Sequence, residues 1–154
     1  MKNIDNKRFR NHQYPRRGEI YYVTDPNAKD GKYSSFGAEM HSNRFAVIVS
    51  SNVQNKNSDV VQIIYLTTSR NKKPCIYHVD VSRGDIFAVA LCEQVTSVDK
   101  SRILEYKAYL KAEKMKEVTE AIMHTLGIIK SIPTTQLPAH EGSCADLYMR
   151  GGEA

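Results

Sequence analysis

The chain has 154 residues, 41% hydrophobic and 25% charged, with three cysteines and a formal net charge of +5. That length supports one domain with a real core, and the composition is that of a soluble globular protein. No apolar run approaches the roughly 18 residues of a membrane helix. The polar, basic start, Met1 to Arg17, lacks the hydrophobic stretch of a secretory signal. Cys75, Cys92 and Cys144 are odd in number and form no C-x-x-C pair, which suggests neither a disulfide framework nor a zinc site. The cytoplasm is the expected compartment. Lys2, Lys7, Arg8, Arg10, Arg16 and Arg17 against Asp5 account for the whole net charge of +5, so the remainder of the chain is neutral. Such a leader is either a solvated extension or an arm that assists phosphate binding through counterion release. Any nucleic-acid site on the rest must be a local patch.

In chain order, Gly18 to Thr24 reads as a first strand, rich in aromatic and β-branched residues and ended by Asp25-Pro26-Asn27. A long polar connection follows to Asn43; loops of this length are usually functional or mobile. Phe45 to Ser51 is a continuous apolar run, expected to be a strand buried on both faces. Asn52 to Asp59 predicts a polar turn with a short helical piece, and Val60 to Leu66 a third strand. After the basic loop Arg70 to Pro74, Ile76 to Val81 alternates as a fourth strand. Ser82 to Asp85 turns the chain, and Phe87 to Val95 predicts a fifth strand. Val98 to Ile103 reads as a turn or single helical turn, and Leu104 to Leu110 as a sixth strand interrupted by Glu105 and Lys107.

From Ala112 to Ile129, Met115, Val118, Ile122, Leu126 and Ile129 fall on one helical face, with Gly127 as a stop. Short strands followed by one amphipathic helix describe a mainly β protein: a small barrel or curled antiparallel sheet with a C-terminal helix packed on it. The tail from Lys130, with two prolines and three glycines, lacks periodicity and is expected to be extended or disordered.

The chemistry-bearing residues gather at strand ends. Arg44 stands where the long connection enters the apolar run, and Thr67-Thr68-Ser69 ends the third strand. A guanidinium is a planar, permanently charged fork matched to phosphate, and a threonine hydroxyl on a rigid strand end can donate to a phosphate oxygen. Together they suit RNA cleavage by its own 2′-hydroxyl, which needs fixed donors for the charge that develops on the phosphorane and requires no metal or other cofactor. Two readings of Arg44 stand at this point: that site, or a surface ion pair with Glu39. Threonine at Thr67 also has a packing explanation in a strand. His41, beside Arg44, is the one histidine retained as an auxiliary acid or base; His78, in an alternating strand, reads as structural. Glu93 and Gln94 could read base edges, which single-stranded RNA exposes, and Glu93 could equally pair with a loop lysine.

The joint pattern resembles the MazF/PemK family of toxin–antitoxin endoribonucleases. The matching pieces begin with Arg17-Gly18-Glu19-Ile20-Tyr21, Gly37-x-Glu39-x-x-x-x-Arg44 and Leu66-Thr67-Thr68. They continue with Tyr77-His78-Val79-Asp80-Val81, Leu91-Cys92-Glu93-Gln94-Val95, Val98-Asp99-Lys100-Ser101-Arg102 and Leu126-Gly127-Ile128-Ile129. The resemblance implies an SH3-like barrel with a C-terminal helix over residues 16–129; the basic extension, 1–15, expected to be flexible, and the tail, 130–154, have no counterpart in it. It also implies a homodimer that cuts single-stranded mRNA sequence-selectively and without metal, leaving a 2′,3′-cyclic phosphate and a 5′-hydroxyl. By the resemblance, Arg44 and Thr67 fall on the catalytic positions of the family, Gln94 falls among its base-contacting positions and Glu39 would support the loop next to the site. With Thr68, Ser69 and Glu93, read from their chemistry, Gln94 and Glu39 are the expected RNA-binding residues. The implied partner is an antitoxin whose acidic, extended C-terminal segment occupies the RNA groove. Phe45 stands where the family usually has proline, and the connection from Asp25 to Asn43 is longer than usual. Two other readings share this outline: a gyrase-poisoning toxin of the same fold and a non-catalytic RNA-binding barrel.

Overall fold

The computed structural model describes residues 9–10, 12–25, 43–71 and 75–128. The long connection with Glu39 and His41, the first eight residues, Cys144 and the tail beyond 128 lie outside the described residues. The strands are β1 (Glu19–Val23), β2 (Arg44–Ile48), β3 (Val60–Thr67), β4 (His78–Asp80), β5 (Val89–Leu91), β6 (Thr96–Asp99) and β7 (Ile103–Tyr109). The helices are α1 (Asn52–Asn57) and α2 (Ala112–Thr125). All pairings are antiparallel, in the order β4-β5-β3-β2-β1-β7, with β6 also on β3. β3 is long enough to pair with β2 along one edge and with β6 and then β5 along the other. This curls the sheet without closing it, and α2 covers one face: the mainly β, barrel-like architecture with a C-terminal helix that the sequence predicts.

Alternation divides the interior in two. Ile20, Val47, Ile64 and Leu66 point to the face under Val118 and Ala121 of α2. Tyr21, Val23, Ala46, Ile48, Ile63 and Tyr65 point to the opposite face, inside the curl. Ala46, Val47 and Ile48 are therefore buried on both sides, as predicted, whereas Phe45, at the start of the predicted run, is 36% exposed. Phe9 packs against this second cluster, edge-on to Tyr21 at 5.9 Å, and Arg10 donates to the Tyr106 hydroxyl at 3.0 Å, so the end of the basic leader lies on the sheet.

The Arg17-Gly18-Glu19-Ile20-Tyr21 segment is explained by packing. Gly18 takes φ +89, and a Cβ there would meet Met115 Cγ at 3.3 Å, so α2 can seat closely. The buried Glu19 carboxylate accepts from the Arg16 N–H at 2.8 Å and the Tyr21 hydroxyl at 2.7 Å. Burial, then the neighbouring Glu19, pushes the Tyr21 phenol above its ordinary range. Arg17 donates to Thr119 Oγ1 at 2.7 Å, and burial lowers its pKa.

Four elements differ from expectation. The predicted fifth strand, Phe87 to Val95, stops at Leu91: Cys92–Gln94 form a single 3₁₀ turn that sends the chain back along β3 as β6. Thr96–Asp99 thus forms a strand that runs into the turn expected from Val98 to Ile103, with only Val98 facing the core; the expected single helical turn is Lys100–Arg102. The predicted fourth strand shortens to His78–Asp80 because Cys75 to Tyr77 turn, with His78 N–H donating to Cys75 O at 3.0 Å. The expected helix to Ile129 stops at Thr125, with Gly127 at φ +71 ending it and Leu126 left 59% exposed.

Candidate active site

Arg44 opens β2 opposite Val23 of β1. On its other side, β2 pairs with β3 as Ala46↔Tyr65, Val47↔Ile64 and Ile48↔Ile63. The pairing ends at Ala46↔Tyr65; continued by two residues, its register would bring Arg44 opposite Thr67, the last residue of β3. By alternation both belong to the face of Ala46 and Tyr65, at the mouth of the curl. Opposed residues in such a register have Cβ atoms about 4.5–5.5 Å apart. A guanidinium and a hydroxyl so based can reach one phosphate.

The neighbours fix both residues. Asn43 Oδ1 accepts from the Asp25 N–H at 2.8 Å, which ties the two ends of the long connection together beside Arg44. Thr67 is only 6% exposed and is held on its other edge by Val89. Its oxygen accepts from the Ser69 N–H at 3.2 Å, and that bond does not use the hydroxyl proton. Thr68 and Ser69 are exposed immediately beyond it. Arg70 follows, with its guanidinium 5.0 Å from the centre of the Phe87 ring.

Glu93 and Gln94 lie elsewhere. β5 begins opposite Thr67 at Val89 and runs away from it, and β6 resumes the edge at Thr96 opposite Ile63. The turn carrying Glu93 and Gln94 therefore sits toward the middle of β3, on the order of 10 Å from Thr67 by strand rise. Glu93 Oε1 meets His78 Nε2 of β4 at 3.0 Å; Lys72 and Lys73 of the basic loop considered from sequence lie outside the described residues. The predicted site residues thus form one group at the strand ends and a second along the edge. Among the described residues no three His, Cys, Asp or Glu side chains gather as a metal cluster. Burial pushes the Cys92 thiol up to about 12, with the Glu93 charge adding to the effect.

Arg102 was quoted only as part of a motif in the sequence, yet the structure aims its guanidinium into this end of the sheet. Its Nε donates to Thr24 O at 2.7 Å and its Nη2 to the Tyr65 hydroxyl at 3.3 Å. Nothing in its local spacing distinguishes it from other surface arginines; the preceding Asp99, capping the turn through the Ser101 N–H at 2.7 Å, is the one local signal.

The sheet with its mouth is the fold of known toxin ribonucleases. A MazF from Deinococcus radiodurans superposes with a TM-score of 0.62 at 21% identity, covering 75% of this chain and 99% of that one. A mycobacterial endoribonuclease in complex with its cognate antitoxin gives 0.59 at 19% identity, covering 76% and 99%. In sequence, the chain is 32% identical over 117 residues to the Endoribonuclease MazF of Staphylococcus saprophyticus, covering 73% of this chain and 92% of the relative. Residues 16–126 match the family of PemK-like, MazF-like toxins of type II toxin–antitoxin systems, and the chain belongs to that family.

Proposed function

We propose that this chain is an endoribonuclease toxin that cuts single-stranded RNA by internal transesterification, with Arg44 and Thr67 at the reacting phosphate. The attacking 2′-oxygen bonds to phosphorus as the bond to the 5′-oxygen breaks. The 2′-hydroxyl gives up its proton and the departing 5′-oxygen takes one up, leaving a 2′,3′-cyclic phosphate and a 5′-hydroxyl. Negative charge grows on the non-bridging oxygens along the way. Arg44 clamps those oxygens with its fork, and Thr67 donates the proton that its bond to Ser69 leaves unused. None of these roles draws on a metal.

What supports this reading is the register of β2 on β3, which is paired as far as Ala46↔Tyr65 and, continued by two residues, leads to Arg44 and Thr67. Family membership and the resemblance to an Endoribonuclease MazF support the activity, and the antitoxin complex of a structural relative supports an antitoxin partner. That partner inserts an acidic, extended segment into the groove of a homodimer, in competition with RNA. Glu93 and Gln94, further along β3, read bases away from the cut, while Thr68 and Ser69 hold the strand close to it. The protein acts on cytoplasmic mRNA; no helix among the described residues is long and apolar enough to cross a membrane.

The test is cleavage of a single-stranded RNA pool in excess EDTA, with the new ends sequenced and their chemistry determined. Wild type produces cyclic-phosphate and 5′-hydroxyl ends at a preferred sequence; Arg44→Ala folds and produces none. Equal cleavage by the variant removes the mechanism.

A further inference from the structure

We propose that Arg102 is a positioning residue for cleavage, holding Arg44 and Thr67 opposite each other; this rests on the cleavage reading above. Arg102 ends the 3₁₀ turn Lys100–Arg102 between β6 and β7. The turn is fixed before Arg102 is considered: Asp99 caps it, and the Lys100 N–H donates to Asp59 O at 2.8 Å. From that base Arg102 reaches two strands. Nε binds the carbonyl of Thr24, just past β1, and Nη2 binds the hydroxyl of Tyr65 in β3. β2, the strand that starts with Arg44, lies between β1 and β3 in the sheet. One guanidinium therefore spans the two neighbours of the strand that carries the phosphate clamp.

Each end of this span leads to a reacting residue. Tyr65 is two residues before Thr67 on the same face, with its ring buried in the inner cluster. Thr24 is doubly tied back to Arg102, whose carbonyl accepts from the Thr24 N–H at 2.9 Å and the Thr24 hydroxyl at 3.2 Å. The next residue, Asp25, receives Asn43 on its N–H, and Asn43 precedes Arg44. The connections run Thr67, Tyr65, Arg102, Thr24, Asp25, Asn43, Arg44: a bracket around the mouth with the two reacting groups at its tips.

Only arginine fits this role. Its rigid fork donates in two directions at once, whereas a lysine ammonium is a single point on a flexible stem. Displacing a reacting group by about 1 Å can cost as much as 10²-fold in rate. Nε and Nη2 are engaged within the protein, so the bracket is expected to act on turnover, whereas an RNA contact by the remaining N–H groups would show in KM.

The experiment measures kcat and KM for a single-stranded RNA oligonucleotide with full-chain wild type, Tyr65→Phe, Arg102→Lys and the double variant, with a melting curve for each. Tyr65→Phe removes one oxygen and no charge; Arg102→Lys keeps the charge and loses the fork. The expected result is a fall in kcat of about tenfold or more in each, KM within about twofold, and a double variant no slower than Arg102→Lys alone. Wild-type kcat in Tyr65→Phe and Arg102→Lys, with wild type cutting normally, overturns the inference and leaves the cleavage reading intact. A loss confined to KM also overturns it, since Arg102 would then be an RNA contact. If wild type does not cut RNA, the cleavage reading itself falls, and this inference with it.

Discussion

Replacing Thr67 by valine separates chemistry from packing at the one buried residue of the proposed pair. Valine has nearly the same shape and an equal preference for strands, so the 6% exposed site is filled much as before. What the fold loses is the bond from the Ser69 N–H to Thr67 Oγ1, a neutral hydrogen bond at 3.2 Å. Such a bond contributes about 1 kcal/mol net, so the melting temperature should drop by only a few degrees. The chemistry loses a preorganised donor to the phosphorane, worth about 2.7–4 kcal/mol, or roughly 10²–10³ in kcat. The gap between these magnitudes is the diagnostic. Single-turnover cleavage of a defined RNA in EDTA, at a temperature where both proteins are folded, measures one; thermal unfolding followed by circular dichroism measures the other. Thr67→Ser, which keeps the hydroxyl, should retain most activity. If folded Thr67→Val cuts within about threefold of wild type, its hydroxyl does not serve the transition state and the reasoning fails.

Two predictions concern the scaffold. Gly18→Ala forces an L-residue to φ +89 and presses its Cβ onto Met115, so it should destabilise the fold by about 1–3 kcal/mol, read from a urea midpoint; an unchanged midpoint would show that α2 does not depend on that close approach. Burial keeps the Cys92 thiol protonated up to about 12, against an ordinary 9.0. The folded state therefore holds a proton that the unfolded chain releases above 9, and stability is full below that pH and falls as pH rises toward 12, by at most about 1.4 kcal/mol per pH unit from this group. Cys92→Ala should flatten that slope between pH 9 and 10; beyond 10 the raised Tyr21 phenol adds a slope in the same direction.

Much of this was legible in the sequence because alternation and helical spacing are direct images of burial. β1, β2, β3 and the Val118 face of α2 announce themselves through their β-branched runs and three-to-four-residue spacing. The run from Phe87 to Val95 misleads for a physical reason. Leu91 and Cys92 are both fully buried, so no polar residue marks the end of β5, and Glu93 and Gln94 come only once the turn has begun. β6 escapes notice because Thr96, Ser97 and Asp99 face outward and only Val98 is apolar. At the site, Arg44 and Thr67 could be singled out by residue type, but their juxtaposition depends on which strands are neighbours and in what register. Arg102 was hidden for the same reason: its partners, Thr24 and Tyr65, are 78 and 37 residues away in sequence.

The apolar run of β2 has a consequence for how the molecule chooses its alignment. A strand with one wet side is locked, because slipping by one residue would put its greasy side chains into water. With Ala46, Val47 and Ile48 all enclosed, β2 carries no such penalty, so hydrophobicity alone leaves its alignment open. The decision passes to its polar flanks: the Asn43 amide clasped to Asp25 at one end, and at the other Ser50, whose hydroxyl accepts from the Gln62 N–H at 3.0 Å. Slip by one residue, and Arg44 would turn to the outside of the curl. Residues that look like loop filler thereby decide which way the charged fork points.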